Sequence, residues 1–254
     1  MAGVRLDIQG ARADLVFDRP GKRNALDLAI WSAIPGLLSS VAEDDRIRVL
    51  VVRGAGGAFA AGADIAEFAT AYATPEAARA NQRTMNAAMD ALEAFPKPVL
   101  AQIDGPCIGG GCAVALCCDI RVAARDARFA ITPAKLGLAY GVADTRRLVS
   151  VVGPSRAKDM LFTGRIMNAQ EAMRIGLVDR VADSAAEETA ALTQQLLDAS
   201  GYTARAVKIV FSLLRRGERE DGEASAALFS AAFSGTDFKE GFAAFMAKRP
   251  PEFR

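Results

Sequence analysis

The sequence predicts an α/β domain on three observations. Short apolar β-type runs alternate with helical segments over roughly the first 150 residues, the pattern of a largely parallel sheet with crossover helices. Two of the runs, at 48–54 and 98–103, open directly into glycine-rich turns. The chain has 254 residues, 51% of them hydrophobic, enough for one large core. We read one main domain, 1–195, with a helical C-terminal extension, 196–254.

Residues 4–9 and 13–17 alternate like two strands joined at Gly10, with Arg12 and Asp14 on the opposite face, and predict a hairpin at a sheet edge. A helix follows over 27–43 with Asp27 as its cap. Pro35-Gly36 lies inside it, and proline there removes a hydrogen bond and clashes with the preceding turn, so a break near Ile34 is expected. A strand at 49–53, a helix at 75–95 and a strand at 98–103 come next. From Pro154 onward the pattern is helical except for an extended stretch at 177–181. The alanine-rich runs 185–191 and 224–232 are good helix formers, and no internal repeat emerges.

Thirty-one Lys and Arg against thirty Asp and Glu give a net charge of +1, so no global pull toward nucleic acid or membrane is implied. The stretch 4–9 begins a β-type pattern with no signal-like leader or long apolar span before it, and the expectation is a soluble, cytoplasmic protein. All four cysteines, Cys107, Cys112, Cys117 and Cys118, fall in one stretch of a chain with no histidine. Their spacing matches no zinc or iron–sulfur pattern, so they are read as buried hydrophobes and no metal is expected.

The turns Ala58-Phe59-Ala60-Ala61-Gly62-Ala63-Asp64-Ile65 and Gly105-Pro106-Cys107-Ile108-Gly109-Gly110-Gly111-Cys112 carry the chemistry. Consecutive glycines let backbone N–H groups approach a ligand without Cβ interference and can open a helix whose N-terminus favours negative charge. Two such donors on one carbonyl oxygen would form an oxyanion hole. Either turn taken alone is equally readable as a plain strand-end turn.

The series Arg19-Pro20-Gly21-Lys22-Arg23-Asn24-Ala25-Leu26, Ala61-Gly62-Ala63-Asp64-Ile65, Gly109-Gly110-Gly111-Cys112, Cys118-Asp119-Ile120-Arg121 and Leu161-Phe162-Thr163-Gly164 resembles the crotonase (enoyl-CoA hydratase/isomerase) superfamily over residues 4–253. The resemblance implies a ClpP/crotonase-like β-β-α spiral core, a homotrimer or dimer of trimers completed by the C-terminal helices, and a lyase role in fatty acid metabolism. It also implies an acyl-CoA thioester substrate that carries its own coenzyme A, with no separate cofactor. It puts the thioester oxygen on the amides of Ala63 and Gly110. The CoA-contacting set by resemblance is Lys22, Arg23, Ala25, Ala61, Asp64, Ile65, Pro133, Phe245 and Lys248, with Asp64 also a turn-capping carboxylate. For Phe245 and Lys248 a solvated basic tail is the other reading.

The chain departs from family hydratases at the two glutamate positions, which here are Ala113 and Ala134. A positioned acid and base each contribute roughly a hundredfold to ten-thousandfold, and a methyl group supplies neither, so two-glutamate hydration is disfavoured. The stretch from Ile131-Thr132-Pro133 to Tyr140-Gly141 is similar to methylmalonyl-CoA decarboxylase-like members, with Tyr140 as hydrogen-bond or proton donor. Loss of CO₂ leaves an enolate that two amides can hold. Those decarboxylases carry a polar residue where this chain has Ala63, and Tyr140 is also readable as pocket filling. Asp144 is out of register for a base, since crotonases that use an aspartate in this region place it at the position of Gly141, and it is expected to pair with Arg146 or Arg147. A CoA-binding pseudoenzyme is a further reading. Arg205, Lys208, Arg215 and Arg219 recur at helical spacing, but Glu218, Glu220 and Asp221 crowd that stripe, and it is read as a solvated face rather than an RNA site. Acyl-pocket width depends on the packing of 69–86, where Tyr72 is the main clue.

Overall fold

The protein is described by a computed structural model over residues 3–253. Its strands are β1 (Val4–Gln9), β2 (Arg12–Phe17), β3 (Val49–Gly54), β4 (Val99–Ile103), β5 (Pro106–Ile108), β6 (Ile120–Ala124), β7 (Arg128–Ala130), β8 (Met167–Asn168) and β9 (Arg180–Ala182). The helices are α1 (Leu28–Ala42), α2 (Phe68–Ala71), α3 (Pro75–Glu93), α4 (Gly110–Cys117), α5 (Pro133–Leu136), α6 (Val142–Thr163), α7 (Ala169–Arg174), α8 (Ala185–Asp198), α9 (Gly201–Arg215), α10 (Glu223–Ser234) and α11 (Thr236–Ala247).

The main sheet runs β1-β2-β3-β4-β6-β9, antiparallel only at the β1–β2 edge hairpin, which turns at Gly10 with φ +58°. This is the α/β architecture expected. A second sheet, β5-β7-β8, stands beside it. The near-continuous apolar run of β3 follows from coverage of both faces, as parallel strands require. Leu50 and Val52 join a core shared with α1, α3 and α4, while Val49 and Val51 join Leu100, Val122, Ala185 and Leu192 under α8.

The break expected near Ile34 does not occur. Asp27 caps α1 as anticipated, its carboxylate accepting from Ile30 N at 2.9 Å, and the helix continues through Pro35 to Ala42. Proline costs about 3 kcal/mol inside a helix. Here Ile30, Trp31, Ile34, Leu38 and Val41 form one buried face on both sides of it, and burying a large side chain is worth roughly 1.5–3 kcal/mol each. The real interruption lies in α6, at Gly153, where φ is +77° just before Pro154. Residues 195 and 196 both lie within α8, whose Leu196 and Leu197 pack on the core, and the helices from α9 onward are called the appendage. Among the described residues, no helix is long and apolar enough to cross a membrane.

Candidate active site

The two glycine turns abut and are stitched together by backbone. Ala60 N donates to Pro106 O and Ile108 N to Ala60 O, each at 3.0 Å, forming a parallel bridge between Ala60 and Cys107. A second bridge pairs Ala63 with Leu26: Leu26 N reaches Gly62 O at 2.7 Å and Asp64 N reaches Leu26 O at 2.9 Å. A Cβ on Gly111 would lie 2.5 Å from Ala60 O, so this approach requires glycine. Gly109, at φ 52° and ψ −113°, redirects the chain so that α4 starts at Gly110, as the three-glycine run implied.

Gly109 N is consumed by Ala130 O at 2.8 Å. The amides of Ala63 and Gly110 donate to no protein acceptor among the described residues. Two uncommitted donors on touching turns, one of them at a helix N-terminus, can stabilise an anionic oxygen brought between them.

The loop ahead of α1 is held by a residue whose importance the sequence reading passed over. Arg23 and Asn24 both adopt the left-handed region, at φ 48° and 57°. Asn24 is fully buried. Its amide donates to Ala55 O at 2.8 Å and Ala58 O at 2.6 Å, and its carbonyl accepts from Arg19 N at 2.8 Å. Asparagine tolerates this conformation, which was the available signal. Asn24 thus clamps the stretch leading to the first turn, and Arg23 O accepts from Ala61 N at 3.0 Å.

Asp64 caps its turn as anticipated, accepting from Ala66 N at 3.2 Å. Lys22 and Arg19 also reach it, at 2.8 and 2.9 Å, and these bonds hold its carboxyl at about 2, well below the ordinary 3.8. Lys22 therefore spends one contact on Asp64 while its side chain stays half exposed. Arg23 and Ile65 are exposed and Ala25 is half-buried.

Tyr140 follows α5, whose first helical residue is Pro133. Its hydroxyl is buried without a hydrogen-bond partner. Burial pushes the phenol well above its ordinary value, with the neighbouring Cys112 and Asp144 adding to the shift, so the group is a neutral O–H. It lines a cleft of about 440 Å³ with Pro133, Ala134, Leu138, Leu161 and Phe162. Ala113 is buried in the first turn of α4, and Ala134 is exposed on α5. Asp144 pairs with Arg147 at 3.2 Å, as its position suggested, and burial raises its carboxyl. Arg147 is itself buried and also bonds Asp90 and Glu93.

Phe245 and Lys248 are not brought to the turns within this chain: both lie at the exposed end of α11, which packs on α10. The basic stripe is partly consumed, Lys208 by Asp119 at 2.7 Å and Arg215 by Glu93 at 3.6 Å, and Arg219 falls beyond the end of α9. The four cysteines are free and buried, and burial raises the Cys118 thiol to about 12.

The family model described as enoyl-CoA hydratase/isomerase matches residues 7–254. A crotonyl-CoA hydratase of Syntrophomonas wolfei is 33% identical, with 98% of this chain and 97% of the relative covered. Among solved structures, an enoyl-CoA hydratase/isomerase family protein from Hyphomonas neptunium is 43% identical with a TM-score of 0.96, covering 99% of this chain and 97% of its own. An enoyl-CoA hydratase/carnithine racemase from Magnetospirillum magneticum is 36% identical with a TM-score of 0.94, covering 100% and 96%.

Proposed function

Because the chain belongs to the enoyl-CoA hydratase/isomerase family, we propose that it is an acyl-CoA lyase in which the Ala63 and Gly110 amides hold a thioester oxygen as it becomes an enolate. What carries this reading is the pair of touching turns whose amides donate to no acceptor among the described residues. Such donors act most strongly on charge that develops in the transition state. The basic loop at Lys22 and Arg23, with Ala25, Ala61, Asp64, Ile65 and Pro133 around it, is the proposed CoA-binding side. The exposed apolar C-terminal helices support a homotrimer in which Phe245 and Lys248 reach a neighbour's site.

Two-glutamate hydration does not suit this chain, because Ala113 and Ala134 can neither donate nor accept a proton. The neutral, unpartnered hydroxyl of Tyr140 favours a second form of the reading, decarboxylation of a malonyl-type thioester. There the C–C bond to the carboxylate breaks, CO₂ leaves, the electron pair stays as an amide-held enolate, and Tyr140 donates its proton to carbon, its phenolate then regaining a proton from water.

Crotonyl-CoA and methylmalonyl-CoA offered in parallel, with CoA products read by mass spectrometry, test the proposal. Gly110→Pro removes one amide at a first helical position that suits proline's backbone, and should lower turnover by about a hundredfold to a thousandfold; because its Cβ would stand 3.2 Å from Trp31 Cζ2, the variant's thermal transition is measured alongside. Decarboxylation that falls in Tyr140→Phe supports the second form. Hydration abolished by Gly110→Pro would mean that another group activates water, and CoA binding without turnover of either thioester would favour a pseudoenzyme.

A further inference from the structure

The cleft beside Ala63 is nearly filled. Leu26, Trp31, Phe68, Tyr72 and Met85 close around Ala63 and leave about 10 Å³ of free volume, close to the least that admits one water molecule. Several ties place the wall residues. Trp31, on the buried face of α1, presses on the second turn: its Cζ2 lies 3.2 Å from where a Cβ on Gly110 would stand, with Leu26 Cδ1 at 3.6 Å. Phe68 opens α2 and meets Tyr72 edge to face, ring centroids 5.1 Å apart. Met85 projects from α3, which packs along α1. The segment carrying Phe68 is pinned at its start, because Glu67 Oε2 accepts from Leu28 N at 2.8 Å and Asp64 caps the preceding turn.

Resting on the reading that Ala63 and Gly110 hold the thioester oxygen, we infer that this wall restricts the enzyme to short acyl groups, with Tyr72 and Met85 setting the limit. A carbonyl on the Ala63 amide places its first carbons against this cleft, and a chain that continues must displace the Phe68–Tyr72 pair or the Met85 side chain. Trp31 and Leu26 cannot yield in the same way, since both are buried in the core and braced on Gly110. Tyr72 is part-exposed and Met85 half-buried at the mouth, so these two are the residues that truncation would open. The other direction a tail could take is the separate cleft of about 440 Å³ at Tyr140 and Leu138.

The test is calorimetric binding of unreactive saturated thioesters, acetyl-, butanoyl- and octanoyl-CoA, with bare CoA as reference. Octanoyl-CoA is expected to bind about tenfold or more weakly than butanoyl-CoA, the size of penalty that a pocket without room for them imposes on extra methylenes. Met85→Ala and, separately, Tyr72→Ala should each raise octanoyl affinity relative to acetyl affinity. Tyr72→Ala, at a part-exposed position, keeps the test open if Met85→Ala loosens the core. Equal binding of octanoyl- and butanoyl-CoA overturns the inference and sends the tail toward Tyr140. So does a chain-length preference that neither variant changes. Affinity that Gly110→Pro leaves untouched for every thioester would instead overturn the amide reading beneath it, a result distinct from a missing chain-length preference.

Discussion

In β3, Val49 and Val51 face one core and Leu50 and Val52 the other, all fully buried, whereas α9 and α10 contain no buried residue and α11 only Ala244. The two regions are held by different forces. Residues up to the end of α8 are shaped by burial from both sides of a sheet. The appendage is attached through polar ties, Lys208 to Asp119 and Arg215 to Glu93, while its own helices α9 and α11 are joined on Asp237, which accepts from Ser200 Oγ at 2.6 Å and Tyr202 N at 3.1 Å. It leaves Phe211, Phe229, Phe242 and Phe245 between 59% and 81% exposed. The two glycine turns and Tyr140 belong to the first region, so their geometry is set by the core's own packing.

The largest effect should come from forcing that core open at the turns. Gly111→Ala puts a methyl group 2.5 Å from Ala60 O and 2.8 Å from Ala60 Cβ, where no flexible side chain can yield. Overpacking against backbone should cost about 3 kcal/mol in urea unfolding and abolish turnover. An unchanged midpoint would break the contrast, because it would show the turns to be as yielding as the appendage. Next is Asn24→Ala, which strands Ala55 O, Ala58 O and Arg19 N and puts alanine at φ 57°. A loss of about 2–3 kcal/mol is expected by the same measurement.

Those two positions show what could be read in advance. The alternation of strands and helices, the edge hairpin, the Asp27 cap and the glycine turns were legible because each has a local cause. Pro35 misled because the buried face of α1 outweighs a local rule, and residue pattern alone does not show which face will be buried. The strands β5, β7 and β8, of two or three residues, are too short to leave an alternation. Asn24 was visible as a residue, but its three partners lie 5, 31 and 34 positions away. The closed cleft at Trp31, Phe68, Tyr72 and Met85 depends on three helices meeting, which no single segment encodes.

A smaller effect sharpens the comparison electrostatically. Asp64 is held at about 2 against an ordinary 3.8, so its contribution is fully present above about pH 4 and fades as pH falls toward 2. Discounted for screening of the half-exposed Lys22, it amounts to about 1–2 kcal/mol. Asp64→Asn should therefore be less stable than the native chain by that amount at pH 6, with the gap closing near pH 2. A gap of the same size at both pH values would mean that the carboxylate's charge is not what holds the Lys22 loop.

The smallest expected change lies in the appendage and probes the contrast from its other side. Phe242 is 60% exposed and stacks on Phe238, centroids 6.3 Å apart, without reaching either core cluster. Phe242→Ser should shift the unfolding free energy of the dilute chain by no more than about 0.5 kcal/mol, as surface changes do. If these rings are covered by another copy, the same variant should show its effect only with concentration: the native chain's midpoint would rise with protein concentration and the variant's would rise less. A loss of several kcal/mol at every concentration would instead place α11 inside the cooperative core. The appendage would then share the force that shapes the active site, and its sparse polar ties would no longer explain how it is held.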